Sequence, residues 1–486
     1  MSDKKDPNDP SNVSTAYEEM RPKWDLITAV LGGTDSMREA GELYLPQHTE
    51  ETPLGYQERL NSAVLFNMTD QTLNTLVGKP FSDGLVLNDD IPEVIVNDII
   101  PDIDLQGNHT EVFCKNWFED GLSKAFSDVL IDFPRLNPTE NGIRTLADDR
   151  NQKLRPYWVQ IKPESVFFAR SEVIKGEEVL LHIRMFEEII EQNGFIEEVI
   201  PQIRVLEPGT VTLYRETTIK GKTLWTLYDQ WATGINYIPW VTFYAKKDGF
   251  RLGKPPLLDL AHLNVAHWQS TADQRHILTV TRFPILACSG ASQDDSGPIT
   301  IGPNKILYNS DPSGRFYYVE HTGAAITAGR EDLKSLEEQM SAYGAEFLRE
   351  KTGNQTATAK AIDSAESSSD LASMVKVFED AVAQALDITA DWMGLGLAGG
   401  TVTLKKEYNE AEENPAALQT LTAARAARDI SRKTYLAALK SRDILSDDFD
   451  EELDAEELLD EPSVELGNSK TNLNPDEQTT NANTNP

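Results

Sequence analysis

Apolar positions recur along this chain with two different periods, and the change of period divides it. From about residue 20 to residue 130 they return every three or four positions, which predicts helices. "RPKWDLITAVLGG" carries a proline just inside its start and a glycine pair at its end. Its helix is therefore expected to begin after Pro22 and to stop at Gly32-Gly33. In "TPLGYQERLNSAVLFNMTDQTLNTLVGKPF" the residues Leu60, Val64, Leu65, Met68, Leu73, Leu76 and Val77 keep helical spacing. They predict one long helix, stopped by Gly78 and Pro80. Phe113 to Ile131 predicts another, with Trp117 and Phe118 on its buried side. From about Pro156 to Tyr244 the runs become β-branched and aromatic, broken by Gly, Pro and Asn: "YWVQIKPESVFFAR", "EVLLHIRMF", "FIEEVIPQIRVLEPGTVTLYRE", "KTLWTLYDQW" and "IPWVTFYA". That pattern predicts an antiparallel meander, with hairpin connections at "LEPG" and "IKGK".

The helical period then returns in longer pieces. "GKPPLLDLAHLNVAHWQSTADQRHILTVTRF" has prolines where a helix start tolerates them and no further breaker before Pro284. About 25 residues at 1.5 Å rise make a rod of roughly 40 Å. A short turn-rich stretch follows, with strands expected at Ile285 to Cys288, Lys305 to Tyr308 and Phe316 to Glu320. In "EDLKSLEEQMSAYGAEFL" the residues Leu333, Leu336, Met340, Tyr343 and Phe347 step alternately by three and four, a heptad seam that faces a partner helix. The polar stretch "REKTGNQTATAKAIDSAESSSD" comes next. A third long helix follows, with Leu371, Met374, Val375, Phe378, Val382 and Leu386 on one face and its end near Trp392 and Gly394. Pro415 to Arg442 is Ala-rich and reads as helical. The first residues, 1–16, and the last, 446–486, are polar and read as disordered. The class is α+β, mostly helical.

Charge and chemistry narrow the function. Asp and Glu number 79 against 45 Lys and Arg, for a net charge of -34. A nucleic-acid binder that grips phosphates carries a basic face instead. "SDDFDEELDAEELLDE" is a nearly continuous acidic run, read as a solvated tail. Two cysteines, Cys114 and Cys288, are too few for a disulfide framework or a closed Cys-rich zinc site. They are expected to act as small buried hydrophobes. No apolar run approaches the roughly 18 residues that span a bilayer, and "MSDKKDPNDPSNVS" has no apolar core of a signal peptide.

Enzyme motifs fail one after another. "REKTGNQTATAK" has one glycine, follows a helix and lacks Gly-Lys-Ser/Thr, so it is no P-loop. Pro80 in "LVGKPF" removes an N–H that a phosphate cradle would use. His262 and His267 diverge by about 140° on a helix and do not share an ion easily. "DIDLQGNHTEVF" starts like a calcium loop but ends on Phe113 where a bidentate Glu belongs. There is no G-x-S-x-G. These residues offer no active site, and no cofactor is expected.

The order helices, sheet, rod, small insert, rod, polar loop, helix resembles the portal proteins of tailed bacteriophages, in particular a branch long catalogued only as a domain of unknown function. The resemblance rests on "PLGYQERLNSAVLFN" with "LVGKPF", "GKPPLLDLAHLNVAHWQSTADQRH", "NKILYNSDPSGRFYYVEHTG" and "TATAKAIDSAESSSDLASMVKVFEDAVAQAL". It touches most of the chain from about Thr52 to Gly394. The acidic, Asn/Thr-rich end matches no part of the common portal core. The resemblance implies a ring, usually of twelve subunits, at one capsid vertex of the virion, assembled in the host cytoplasm. Such rings nucleate heads with capsid or scaffold protein, dock the terminase large subunit, pass double-stranded DNA with weak non-specific contact, and later hold head–tail adaptor proteins. They have no enzymatic activity of their own and need no membrane.

Mapped onto this sequence, the resemblance implies a wing at 17–253, a stem helix at 254–282, a clip at 283–325, of α/β or β type, and a second stem helix at 326–348. A tunnel loop would follow at 349–360, a long helix with wing return at 361–411, and crown helices at 412–445. The tunnel loop would place Lys351, Thr352, Gly353, Asn354, Gln355, Thr356, Thr358 and Lys360 at the DNA channel. Lys351 and Lys360 would meet either passing phosphates or carboxylates of a neighbouring subunit. The stem subunit interface would use Leu333, Leu336, Met340, Tyr343, Phe347, Leu257, Leu260 and Leu263. The clip would offer partners Lys305, Tyr308, Arg315, Phe316 and Tyr318, unless Phe316 and Tyr318 pack the clip's own core or its subunit interface. An acidic channel wall would repel phosphates and keep friction low. Two other classes stand beside this one: a head–tail adaptor or vertex scaffold, usually a shorter chain, and a nucleic-acid-linked NTPase, against which the missing Walker motif tells.

Overall fold

The computed structural model describes residues 6–134, 154–219, 222–282, 285–289, 311–319, 323–347, 369–406 and 415–440, with single residues 408, 445 and 449. The chain divides into two units, Met1–Tyr408 and Asn409–Pro486.

Helix α1 (Thr15–Leu31) opens the first unit. Its start is set by Ser14, whose Oγ accepts from the Tyr17 N–H at 3.2 Å. The start expected after Pro22 is thus too late, and Pro22 lies inside the helix. Buried Met20 and Trp24 anchor the helix on both sides of the bond that proline cannot make. Asp6 to Ser14, expected to be disordered, is also tied down. Ser14 N–H donates to Phe167 O at 2.9 Å, Arg184 donates to Pro10 O at 2.9 Å, and Val13 packs beside Phe167, Ile203 and Val205.

Helix α2 (Gly33–Ala40) leads to α3 (Pro53–Ser62) and α4 (Met68–Gly78). The single long helix expected here is broken at Ala63–Asn67. Ala63 is extended, and Asn67 caps α4 by accepting from the Asp70 N–H at 3.1 Å. A distant residue holds the break: Asn264 donates to Phe66 O at 2.6 Å and accepts from the Thr69 N–H at 2.9 Å.

After α5 (Glu93–Asp98), α6 (Thr110–Lys124) ends at Ala125, which takes φ +79°. The segment expected to continue as helix to Ile131 is strand β2 (Phe126–Asp132), following the two-residue β1 (Val86–Leu87). Its residues from Phe126 to Ile131 are all buried, polar Ser127 and Asp128 among them, so no alternation of apolar and polar positions separates strand from helix. Strand β2 is central in a three-stranded antiparallel sheet, between β3 (Tyr157–Ile161) and β9 (Trp240–Tyr244). Helix α6 packs on that sheet so closely that a Cβ at Gly121 would lie 2.3 Å from the Phe243 ring.

The meander is therefore two sheets. Strands β4 (Val166–Ile174), β5 (Glu177–Asn193), β6 (Ile196–Glu207), β7 (Thr210–Ile219) and β8 (Lys222–Ala232) form a five-stranded antiparallel sheet in sequence order. A short 3₁₀ turn at Pro163–Ser165 splits "YWVQIKPESVFFAR" and sends its halves to different sheets. The hairpin at Pro208-Gly209 is where "LEPG" places it, with Glu207 opposite Thr210. A small hairpin, β10 (Lys247–Gly249) with β11 (Leu252–Gly253), closes this part.

The remaining elements match the periodic reading: α7 (Leu258–Thr281), β12 (Ile285–Ser289) paired with β13 (Arg315–Val319), α8 (Ala324–Glu346) and α9 (Asp370–Trp392). The strand expected at Lys305–Tyr308 lies outside the described residues. Strand β14 (Val402–Thr403) pairs with β1. The main core is centred on α9. The Phe378 ring lies 5.0 Å from Phe243, 5.1 Å from both Trp117 and Phe118, and 6.4 Å from Phe81. Trp158 Nε1 donates to Thr389 Oγ1 at 2.9 Å. Cys114 is buried in this core, which pushes its thiol pKa up. Cys288 in β12 is only half-buried.

In the second unit, the single helical region expected at Pro415–Arg442 is two helices, α10 (Pro415–Ala427) and α11 (Arg432–Lys440). Arg428 takes φ +65° between them, and the Asp429 N–H returns to Ala424 O at 2.9 Å.

Candidate functional site: the α7–α8 pair and its hairpin

Helices α7 and α8 run antiparallel and are stitched along their length by polar contacts. From the start of α7 onward, Tyr343 OH donates to Pro256 O at 3.1 Å, and His267 Nε2 lies 3.4 Å from Glu337. Ser270 Oγ donates to Asp332 at 2.8 Å, and Gln274 Nε2 donates to Ile326 O at 2.9 Å. Gly329 lets the last pair approach: a Cβ there would sit 2.2 Å from Gln274 Oε1. Burial pushes the Tyr343 hydroxyl up to about 12.

The other face of α7 binds the N-terminal helices. Ala261, Trp268 and Ala272 pack with residues of α1 and α3. Arg59, 1% exposed, grips Glu51 through two bonds of 2.8 and 2.7 Å, donates to Pro46 O at 2.8 Å and reaches Asp273 at 3.2 Å. The Arg59 hydrogen bonds hold the Glu51 carboxyl at about 2. His48 reaches Asp273 at 3.1 Å from the exposed side.

The expected seam meets a helix of its own chain. Leu257, Leu260 and Met340 are fully buried in the main core, which leaves them no surface for a neighbouring subunit. Leu263, Tyr343 and Phe347 are half-buried against the same core, and Leu333 and Leu336 are half-buried on α8. In the β12–β13 hairpin Arg315 is exposed and Phe316 half-buried. Tyr317 and Tyr318 are 52% and 56% exposed, so strict alternation does not hide Tyr318. Lys305, Tyr308, Lys351, Thr352, Gly353, Asn354, Gln355, Thr356, Thr358 and Lys360 lie outside the described residues.

The residues that organise the pair, Arg59, Asn264 and Gln274, carry no motif. Asn264 had one detectable signal: it lies four residues from both Leu260 and Trp268, on the stripe that must be buried. Arg59 had none: Glu51 lies 8 residues away at no helical spacing, and Asp273 lies 214 residues away.

Where α7 and α8 diverge from the 62–66 segment they leave a groove of about 620 Å³, whose lining includes Val64, Phe66, Leu278, Leu333, Arg275 and Arg282. Among the described residues, no group of three His, Cys, Asp or Glu side chains could hold a metal ion. The stretch that starts like a calcium loop satisfies itself: Asp104 accepts from Gln106 N–H and Asn108, and Asp102 accepts from Gly107 N–H and pairs with Arg155. Among the described residues no helix is long and apolar enough to cross a membrane.

The profile of a family described as a domain of unknown function (DUF4055) matches residues 256–393, from the entry of α7 to the end of α9. No curated protein matches the chain. Among solved structures it is similar to a chain in the neck of a native gene transfer agent (GTA) particle computed with C12 symmetry. The identity is 9% and the TM-score 0.37, over 77% of this chain and 89% of that one. A chain in the neck of an empty particle computed with C6 symmetry gives 10%, 0.38, 77% and 89%. A chain in the virion of the native particle gives 9%, 0.37, 88% and 99%.

Proposed function

We propose that this chain is the subunit of a portal-type ring at a capsid vertex, through which double-stranded DNA enters and leaves. The observation that carries the reading is the order α7, β12–β13, α8, α9: two long helices, stitched antiparallel, bracket a small hairpin and then return to the core. The helix pair is braced by the N-terminal helices and by the main core, so it is a stiff support. At 1.5 Å per residue the 24 residues of α7 span about 36 Å. The hairpin it carries exposes Tyr317 and Tyr318, the residue type that anchors protein partners. In this reading the hairpin receives the packaging motor and then an adaptor. The net charge of -34 keeps DNA from binding the wall it passes. The role is mechanical, without catalysis and without a cofactor.

Electron microscopy of the purified chain tests this, together with its mass in solution. Rings with a central hole are expected, with a mass near twelve times 54.2 kDa. A monomer that hydrolyses ATP would overturn the reading.

A further inference from the structure

Two features of the first unit are left over by this account. One is the tip of the β5–β6 hairpin. Gly194 takes φ +65° at the first position of its two-residue turn, as a tight hairpin of this type requires. That turn presents Phe195, which is fully exposed at 106% relative exposure. Ile196, Ile190 and Val199 beside it are 68%, 64% and 59% exposed. The surrounding sequence, "EEIIEQNGFIEE", holds five glutamates; Glu187 and Glu191 pair with Arg204 and Arg215 of the same sheet, and Glu197 and Glu198 follow the turn. The second feature is the groove between α7, α8 and residues 62–66. It is apolar at Val64, Phe66, Leu278 and Leu333, and its rim carries the exposed guanidinium groups of Arg275 and Arg282. Glu337 also lines the groove, where it lies 3.4 Å from His267, so the two rim arginines leave the lining with an excess of positive charge. At about 620 Å³ it lies within the roughly 300–1,000 Å³ range of sites that hold apolar groups.

We infer that the hairpin tip of one copy seats Phe195 and Ile196 in the α7–α8 groove of the next copy, with the flanking glutamates against Arg275 and Arg282. This rests on the ring reading and names its subunit contact. Three points select a second copy as the occupant. The tip is apolar where the groove is apolar. Its glutamates are opposite in charge to the rim arginines Arg275 and Arg282. The two surfaces differ, so their contact is head-to-tail, the kind that closes a ring rather than stopping at a dimer. Apolar anchors supply most of the affinity of such a contact, and the rim charges set its orientation and rate.

Cysteine cross-linking tests this in the full chain. In a Cys288→Ser background, Phe195→Cys combined with Val64→Cys is oxidised after assembly. A ladder of covalent multimers is expected on denaturing gels, and neither single variant should give it. In parallel, Phe195→Asp and Arg275→Glu/Arg282→Glu should each raise the concentration needed for assembly by about tenfold or more. Adding Glu197→Lys/Glu198→Lys to the arginine reversal should restore assembly. Intact rings with no ladder and no effect of either variant would overturn the contact while leaving the ring reading standing. A wild-type chain that stays monomeric would overturn both. A cross-link that stops at the dimer would also reject a head-to-tail contact. Unchanged circular dichroism of each variant separates lost assembly from lost folding.

Discussion

Helices α7 and α9 are nearly the same length, at 24 and 23 residues, yet they are held in opposite ways. The buried face of α9 is apolar from Leu371 to Ala390, with Thr389 the one polar side chain among its buried residues. The buried face of α7 includes Asn264, His267 and Gln274. Apolar burial is strong but has no direction. It fixes α9 in the core and says little about its register. Hydrogen bonds are directional, and buried polar groups must find their partners. They give α7 one register against α8 and one against the 63–67 break. The core therefore supplies stability, and the helix pair supplies geometry.

The hardest test of this contrast is Phe378→Ala. It empties the centre of four aromatic contacts and should cost about 3–5 kcal/mol in urea unfolding. A loss under about 1 kcal/mol would remove α9 from the centre of the core. Next is Arg59→Ala, which leaves Glu51 in a poorly solvated place without its partner. A cost of about 3 kcal/mol is expected. The same pair predicts a pH dependence. Glu51 titrates near 2 when folded and near 4.5 otherwise, so the folded chain binds fewer protons there. Its stabilisation is present above about 4.5 and is lost as pH falls toward 2. Glu51→Gln should flatten that part of the stability curve.

Asn264→Leu keeps the approximate size of the side chain and removes its bonds to Phe66 O and Thr69. About 1–3 kcal/mol should be lost, and hydrogen exchange of the amides at 63–69 should speed up. Unchanged exchange there would mean that the break between α3 and α4 does not depend on α7. The smallest effect belongs to Ser270→Ala, at the exposed bond to Asp332, and should stay below about 1 kcal/mol. A larger loss would show that the α7–α8 seam carries stability as well as register.

Legibility followed the same division. The rods, the apolar face of α9 and the hairpin strands at 285–289 and 315–319 could be read because each depends on local spacing. The Leu333-to-Phe347 seam was equally legible as a seam, but its partner was not. A heptad pattern says that a helix is faced and does not say whose. The missed start at Ser14 was available in the sequence as a capping serine. The strand hidden in "FSDVLID" was not, because full burial on both faces erases the period of two.

By itself the sequence determined the alternation of helical and extended segments, the apolar face each would bury, the acidic character of the chain and the lack of enzyme motifs among its residues. These follow from local sterics, periodicity and charge. Only the tertiary structure decided that one expected helix breaks at Ala63–Asn67, that β2 joins β3 and β9, that Arg59 closes on Glu51 and Asp273, and that a groove rimmed by Arg275 and Arg282 opens beside α7. Each of those depends on groups brought together from distant parts of the chain. The energies of such contacts are set by burial and geometry, and neither is a property of any segment alone.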